Sequence, residues 1–189
     1  AELGLLDDYP GASAAYSLRS LSSTYTGPVV EVRRSSDNAT QDFTADEVST
    51  IAGWVGAGND GFVRTWYDQS GNGNDAVQTT NARQPQIVDN GVLNEVNGKP
   101  AILFNDVLNN FLTISPVASI STSNTSFNVI ARYVPKSGNS GFNFRFSYDR
   151  TFNSSVNNNF TIASQSTQTF LGNIVYLEQR LESINFLSS

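Results

Sequence analysis

Asp68-Gln69-Ser70-Gly71-Asn72-Gly73-Asn74-Asp75 carries oxygen-bearing side chains at alternate positions, with glycines between them. Hard cations take oxygen ligands, and this spacing resembles the start of a calcium-binding loop, with Asp68, Ser70, Asn72, Asn74 and Asp75 as the candidate ligands. The match is incomplete. Where such a loop needs its closing bidentate carboxylate the chain has Thr79, so Asp75 would have to substitute in another geometry. The simpler reading is structural: Asp68 and the asparagines bond to backbone N–H groups and hold a tight turn. No cofactor is therefore expected, with calcium as the alternative. Trp66 and Tyr67, just upstream, are the candidate ligand-binding residues, because exposed aromatic rings stack on sugars. Adjacent strand residues face opposite sides, so at least one of the two belongs to the core.

Other chemistries are narrowed by what the chain lacks. It has no His and no Cys, which excludes Ser-His and Cys-His catalysis and the usual zinc sites. Glycoside hydrolysis needs only two carboxyls and stays open. After Asp106 the chain offers Asp149, Glu178 and Glu182. Glu178 and Glu182 are four apart on an expected terminal helix and read as a solvated face, while Asp149 can pair with Arg150. The net charge of -6, from 17 acidic and 11 scattered basic residues, opposes a nucleic-acid partner. Arg33-Arg34 is the one basic pair, and in a strand its members point to opposite faces, so it carries no weight as a phosphate site.

These residues must be positioned by short strands. The 24 serines and 21 asparagines favour turns and loops. Period-two alternation is clearest from Gly141 to Tyr148 and recurs from Phe127 to Tyr133. Shorter candidates are Val29 to Arg33, Phe62 to Tyr67, Ala101 to Phe104, Phe111 to Ile114 and Phe170 to Tyr176. Asp89-Asn90-Gly91 and Asn97-Gly98 suit hairpin turns. Thr44-Ala45-Asp46-Glu47 is a capping-box pattern that predicts a short helix carrying Val48, Ile51, Ala52 and Val55. A second helix is expected from about Leu177 to Leu187, and Ala12 to Leu21 is ambiguous. Thr151 to Gln168 reads as a long loop or weak hairpin. At 189 residues the chain is expected to form one domain, 1–189, an all-β, two-sheet antiparallel β-sandwich with one or two short helices. No apolar run approaches the 18 or so residues of a membrane span, and Ala1-Glu2-Leu3-Gly4 has no signal-peptide character. The lack of any methionine suggests a processed chain or a fragment, and the lack of cysteine fits any compartment.

The segment Thr65 to Asp75, followed by Gln84-Pro85-Gln86-Ile87-Val88 and Asn97-Gly98-Lys99-Pro100-Ala101, resembles part of the catalytic domain of fungal B-type α-L-arabinofuranosidases. It is more similar still to the laminin-G-like, concanavalin-like jelly-roll domains of bacteriophage tail-fibre and other virion proteins. Leu6 to Ala12, Ala15 to Arg19, Val32 to Asn38 and Phe170 to Tyr176 add to that likeness. The resemblance covers roughly residues 5–115 and 170–187, and the region from about 135 to 170 is shorter than in such domains. It implies a concanavalin-like sandwich. The arabinofuranosidases place their nucleophile and acid/base in the later half of the domain, where this chain has no segment matching their catalytic motifs. The expectation is therefore a non-catalytic structural or surface-binding module of a virion or cell-surface protein, not an enzyme. It would self-associate or sit on a particle, bind a cell-surface glycan, and be found at a virion surface or outside the cell. A divergent arabinofuranosidase-like hydrolase is the alternative, and a decoration domain without ligand is a third.

Overall fold

A computed structural model describes residues 4–105, 108–114, 144–148 and 160–164. The strands are β1 (Val30–Arg34), β2 (Thr40–Phe43), β3 (Gly61–Trp66), β4 (Ala76–Val77), β5 (Gln86–Asp89), β6 (Val92–Leu93), β7 (Glu95–Val96), β8 (Lys99–Pro100), β9 (Phe111–Ile114), β10 (Phe144–Tyr148) and β11 (Phe160–Ser164). Two helices are short: α1 (Leu5–Asp8), and α2 (Ile51–Val55), which continues a 3-10 turn over Ala45–Thr50. Every strand pairing is antiparallel. The architecture is all-β, in keeping with the β-sandwich the sequence suggests.

The sheet runs β10-β11-β9-β4-β3-β1-β2 and forks at β3. Thr65 and Trp66 pair with β4, while Gly61 and Phe62 pair with β5, which continues to β6. One face is apolar. Val30, Val32, Phe43, Val63, Ala76, Leu112 and Ile114 sit on it, and Val48, Ile51, Val55, Ile87 and Val88 complete the same core. Among the described residues thirteen apolar side chains are buried in this core, and such burial supplies the main favourable term of folding.

Strand alternation then forces the intervening residues to the other face. Across β2, β1 and β3 these are Asp42, Glu31 and Thr65 in one row and Thr40, Arg33 and Phe62 in the next. The register shifts between Glu31 and Val32, leaving Arg64 without a β1 partner. A bulge of this kind re-aims side chains. It turns both Arg64 and Thr65 towards Glu31.

Several elements match the expectations. β9 coincides with Phe111 to Ile114, β10 falls within Gly141 to Tyr148, and both hairpin turns form with positive φ at Asn90, Gly91, Asn97 and Gly98. The Thr44 N–H and hydroxyl both donate to Glu47, so the capped helix starts where the pattern placed it. Others differ. Ala12 to Leu21 is irregular, because its backbone bonds to the Asp68 loop and not to itself. Ala101 to Phe104 contributes only a bridge between Leu103 and Gln86. Thr151 to Gln168 contains β11, which pairs with β10 and β9. The segments Phe127 to Tyr133, Phe170 to Tyr176 and Leu177 to Leu187 lie outside the described residues.

Candidate functional site

The Asp68 loop is the most specific string in the sequence, and both oxygens of Asp68 are committed within the chain. Asp68 Oδ1 accepts the Ala15 and Ser70 N–H groups, both at 2.8 Å. Its Oδ2 accepts the Ser70 hydroxyl at 2.7 Å and the Asn74 N–H at 3.1 Å. Asp75 Oδ1 accepts the Asp68 N–H at 2.9 Å. The Asn72 amide donates to the Ala12 and Ser13 carbonyls, and the Asn74 amide to Ser13. Gln69, 3% exposed, accepts the Leu21 N–H and donates to the Ser17 and Arg19 carbonyls. The loop thus supplies the hydrogen bonds that Ala12 to Leu21 would otherwise lack. Donors aimed at Asp68 present positive dipole ends around its lone pairs, so Asp68 acts as the hydrogen-bond acceptor that holds this turn. Among the described residues no group of three or more acidic, His or Cys side chains is placed to hold a metal.

Trp66 and Tyr67 separate as neighbours in a strand should. Trp66 packs against the core, its ring 5.6 Å from that of Tyr16, and its Nε1 is buried without a partner among the described residues. The Tyr16 hydroxyl donates to the Asn74 carbonyl, and burial pushes its ionisation well up. Tyr67 turns to the polar face, where its hydroxyl donates to Asp42 Oδ1 at 2.8 Å. Burial, followed by the bond to Asp42, raises its ionisation above the usual tyrosine range.

Around Tyr67 the polar face carries two carboxylates on directly opposed positions of neighbouring strands, Glu31 and Asp42. Side chains so placed are about 5 Å apart at Cβ. Glu31 is 12% exposed and anchored: Oε1 accepts from Arg64 Nη1 and Oε2 from the Thr65 hydroxyl, both at 2.7 Å. Asp42 is exposed, and its Oδ2 accepts from no group among the described residues. An aromatic ring, a fixed carboxylate and a free carboxylate oxygen therefore share one half-open surface. That set suits a sugar, which offers an apolar ring face and hydroxyls. Sequence reasoning missed Glu31 and Asp42. The available signal was a lone acid between Val30 and Val32, since a polar residue between two core positions must face the other way.

A second concavity of about 370 Å³ lies beside the Asp68 loop, lined by Leu6, Asp7, Pro10, Tyr25, Gln69 and Ser70 among others. Its one acid, Asp7, is engaged by the Gly4 and Ser23 N–H groups and the Ser22 hydroxyl, which hold it below the usual carboxylate range. It offers no carboxyl pair. Asp149, Glu178 and Glu182 lie outside the described residues.

The family model described as "Alpha-L-arabinofuranosidase B, catalytic" matches residues 7–124. No curated protein and no solved structure matches the chain. The matched span holds β1 to β9, the Asp68 loop and the polar face together. It gives no support to the virion tail-fibre resemblance. It also overturns the expectation of a non-enzyme, since the matching family is a catalytic glycoside-hydrolase domain. That expectation counted only the carboxylates after Asp106. A glycosidase can draw its two carboxyls from any segments that the fold brings together, so such a count could not exclude catalysis. With more than half of its 189 residues matched, the chain belongs to the α-L-arabinofuranosidase B catalytic-domain family.

Proposed function

We propose that this chain is a carbohydrate-active domain that cleaves α-L-arabinofuranosyl linkages, with the glycan lying across the polar face of β2, β1 and β3. The family match through residues 7–124 carries the reading. Tyr67 serves as the stacking platform, Asp42 Oδ2 accepts a sugar hydroxyl, and Glu31 is held in place by Arg64 and Thr65. Hydrolysis requires one carboxyl to protonate the leaving oxygen and a second to act as nucleophile or base. The acids from which that pair is drawn are Glu31 and Asp42 on this face and Asp149, Glu178 and Glu182 later in the chain. The test is incubation of the folded protein with an aryl α-L-arabinofuranoside and with arabinan. Release of arabinose that stops on a single Glu→Gln or Asp→Asn change is expected, and no turnover of either substrate would overturn the reading.

Self-association, attachment to a cell-surface glycan and a place on a virion surface or outside the cell remain proposals. The acidic net charge and the Ser- and Asn-rich composition favour a solvated outer surface. Among the described residues the edge strand β2 pairs with β1 alone, which offers its other side to a second copy. Sedimentation equilibrium showing monomer alone at working concentration would remove the self-association proposal.

A further inference from the structure

Arg33 lies two residues along β1 from Glu31, on the same polar face and about 7 Å away at the usual strand rise. Only 7% of it is exposed. Its cross-strand neighbours are Thr40 on β2 and Phe62 on β3, and its guanidinium carbon sits 4.8 Å above the Phe62 ring. Nε donates to Gln84 Oε1 at 2.7 Å and Nη1 to Asn38 Oδ1 at 2.8 Å. Gln84, itself 1% exposed, is fixed in turn by donating from Nε2 to the Gln78 carbonyl.

Both acceptors are neutral. The ion pairs among the described residues are Arg34 with Asp37 and Arg64 with Glu31, so Arg33 has no carboxylate of its own. Burying an uncompensated cation is costly, and the burial shows as a lowered proton affinity at Arg33. Nη2 donates to no group among the described residues, and it is not among their fully sealed nitrogens, which leaves it at the margin of the buried cluster. The guanidinium is stacked, braced at two nitrogens and free at the third, which is a preorganised receptor for a planar anion.

We propose that Arg33, with Phe62, Gln84 and Asn38 around it, forms a subsite for the carboxylate of an acidic sugar in the glycan held on this face. The proposal rests on the reading of the face as glycan-binding and adds a substrate class to it: an arabinofuranosyl-bearing polymer that also carries uronic-acid residues. A single guanidinium in a chain of net charge -6 matches a monoanion better than a phosphate dianion. Exchange of solvent for a carboxylate at Nη2 would give the buried charge the partner it lacks.

The experiment titrates the full chain with D-glucuronate, D-glucose and acetate, following the Arg Nε–Hε resonances by NMR. Arg33→Gln assigns the Arg33 signal. Because that change also removes a brace of the buried cluster, Thr40→Asp is the second variant: Thr40 is exposed and directly opposite Arg33, so it introduces a carboxylate that competes for the site. The expected result is saturable movement of the Arg33 signal with glucuronate, none with glucose, and at least tenfold weaker binding in Thr40→Asp. Equal response to acetate and glucuronate would overturn the sugar-acid subsite, as would no response at all. Turnover of a neutral aryl arabinofuranoside without glucuronate binding sinks this inference alone. Glucuronate binding without turnover sinks the hydrolase reading alone.

Discussion

The Asp68 loop and the polar face of β1 to β3 are both rich in oxygen, and they differ in what is left over once the chain has folded. In the loop, four donors converge on one carboxylate and two asparagine amides are bonded to carbonyls of the N-terminal segment. On the face, among the described residues, Asp42 keeps an oxygen and Arg33 a nitrogen without a hydrogen-bond partner, and Tyr67 is half-buried. A saturated cluster stabilises, and an unsaturated one can bind. Recognisability of a motif and availability of its atoms are therefore separate properties, and here they fall in different places.

The largest stability effect should come from breaking the loop. Asp68→Ala removes the acceptor for the Ala15, Ser70 and Asn74 N–H groups, and stranded buried donors cost about 1–3 kcal/mol. A loss of about 3 kcal/mol in chemical denaturation is expected, the same with or without a chelator. Gln69→Ala strands the Leu21 N–H and two carbonyls and should cost about 2 kcal/mol. A chelator that destabilises wild type and leaves Asp68→Ala unaffected would restore calcium to the loop.

A change on the face should reverse that pattern. Tyr67→Phe loses one exposed hydrogen bond to Asp42 and should shift stability by under about 1 kcal/mol. Its effect on binding should be larger than on folding, because Asp42 is then free to turn away from the sugar. Calorimetric titration with an arabino-oligosaccharide reads the first quantity and a thermal melt the second.

The smallest effect is a pH dependence. Tyr16, Tyr25 and Tyr67 are all raised, with burial the first cause in each. A raised tyrosine favours the folded state below the unfolded value of about 10, and that contribution is lost as pH rises towards the folded value. Near-UV absorbance at a pH of about 11 should leave a fraction of the tyrosines un-ionised. Tyr16→Phe should reduce that fraction, and simultaneous ionisation of all seven tyrosines below unfolding would contradict the burial described.

Much of the fold was legible because its signals were local. Phe111 to Ile114 is a short β-forming run that follows two asparagines, Asn90-Gly91 takes the positive φ a tight turn demands, and Thr44 with Glu47 caps a helix through neighbours three apart. What escaped depends on partners far along the chain. Thr40–Phe43 has no strand-like composition and becomes β2 because Phe43 reaches the core beside Val30. Ala12 to Leu21 looks helical in part until the Asp68 loop, more than fifty residues on, takes over its backbone bonds. The candidate site was half visible: Tyr67 was named from its type, but Glu31 and Asp42 become a pair only through the register of β1 against β2. Register depends on which faces are buried, and a single segment read alone does not disclose it.

If chemistry belongs to the face and architecture to the loop, two exposed, foldable variants will separate in one assay. Asp42→Asn and Asn72→Ala each change a surface side chain. On an aryl α-L-arabinofuranoside, kcat/KM should fall by about 10²-fold or more in Asp42→Asn, a loss of roughly 2.7 kcal/mol of transition-state stabilisation, and stay within about threefold of wild type in Asn72→Ala. A full rate in Asp42→Asn together with a collapse in Asn72→Ala would place the chemistry in the loop instead.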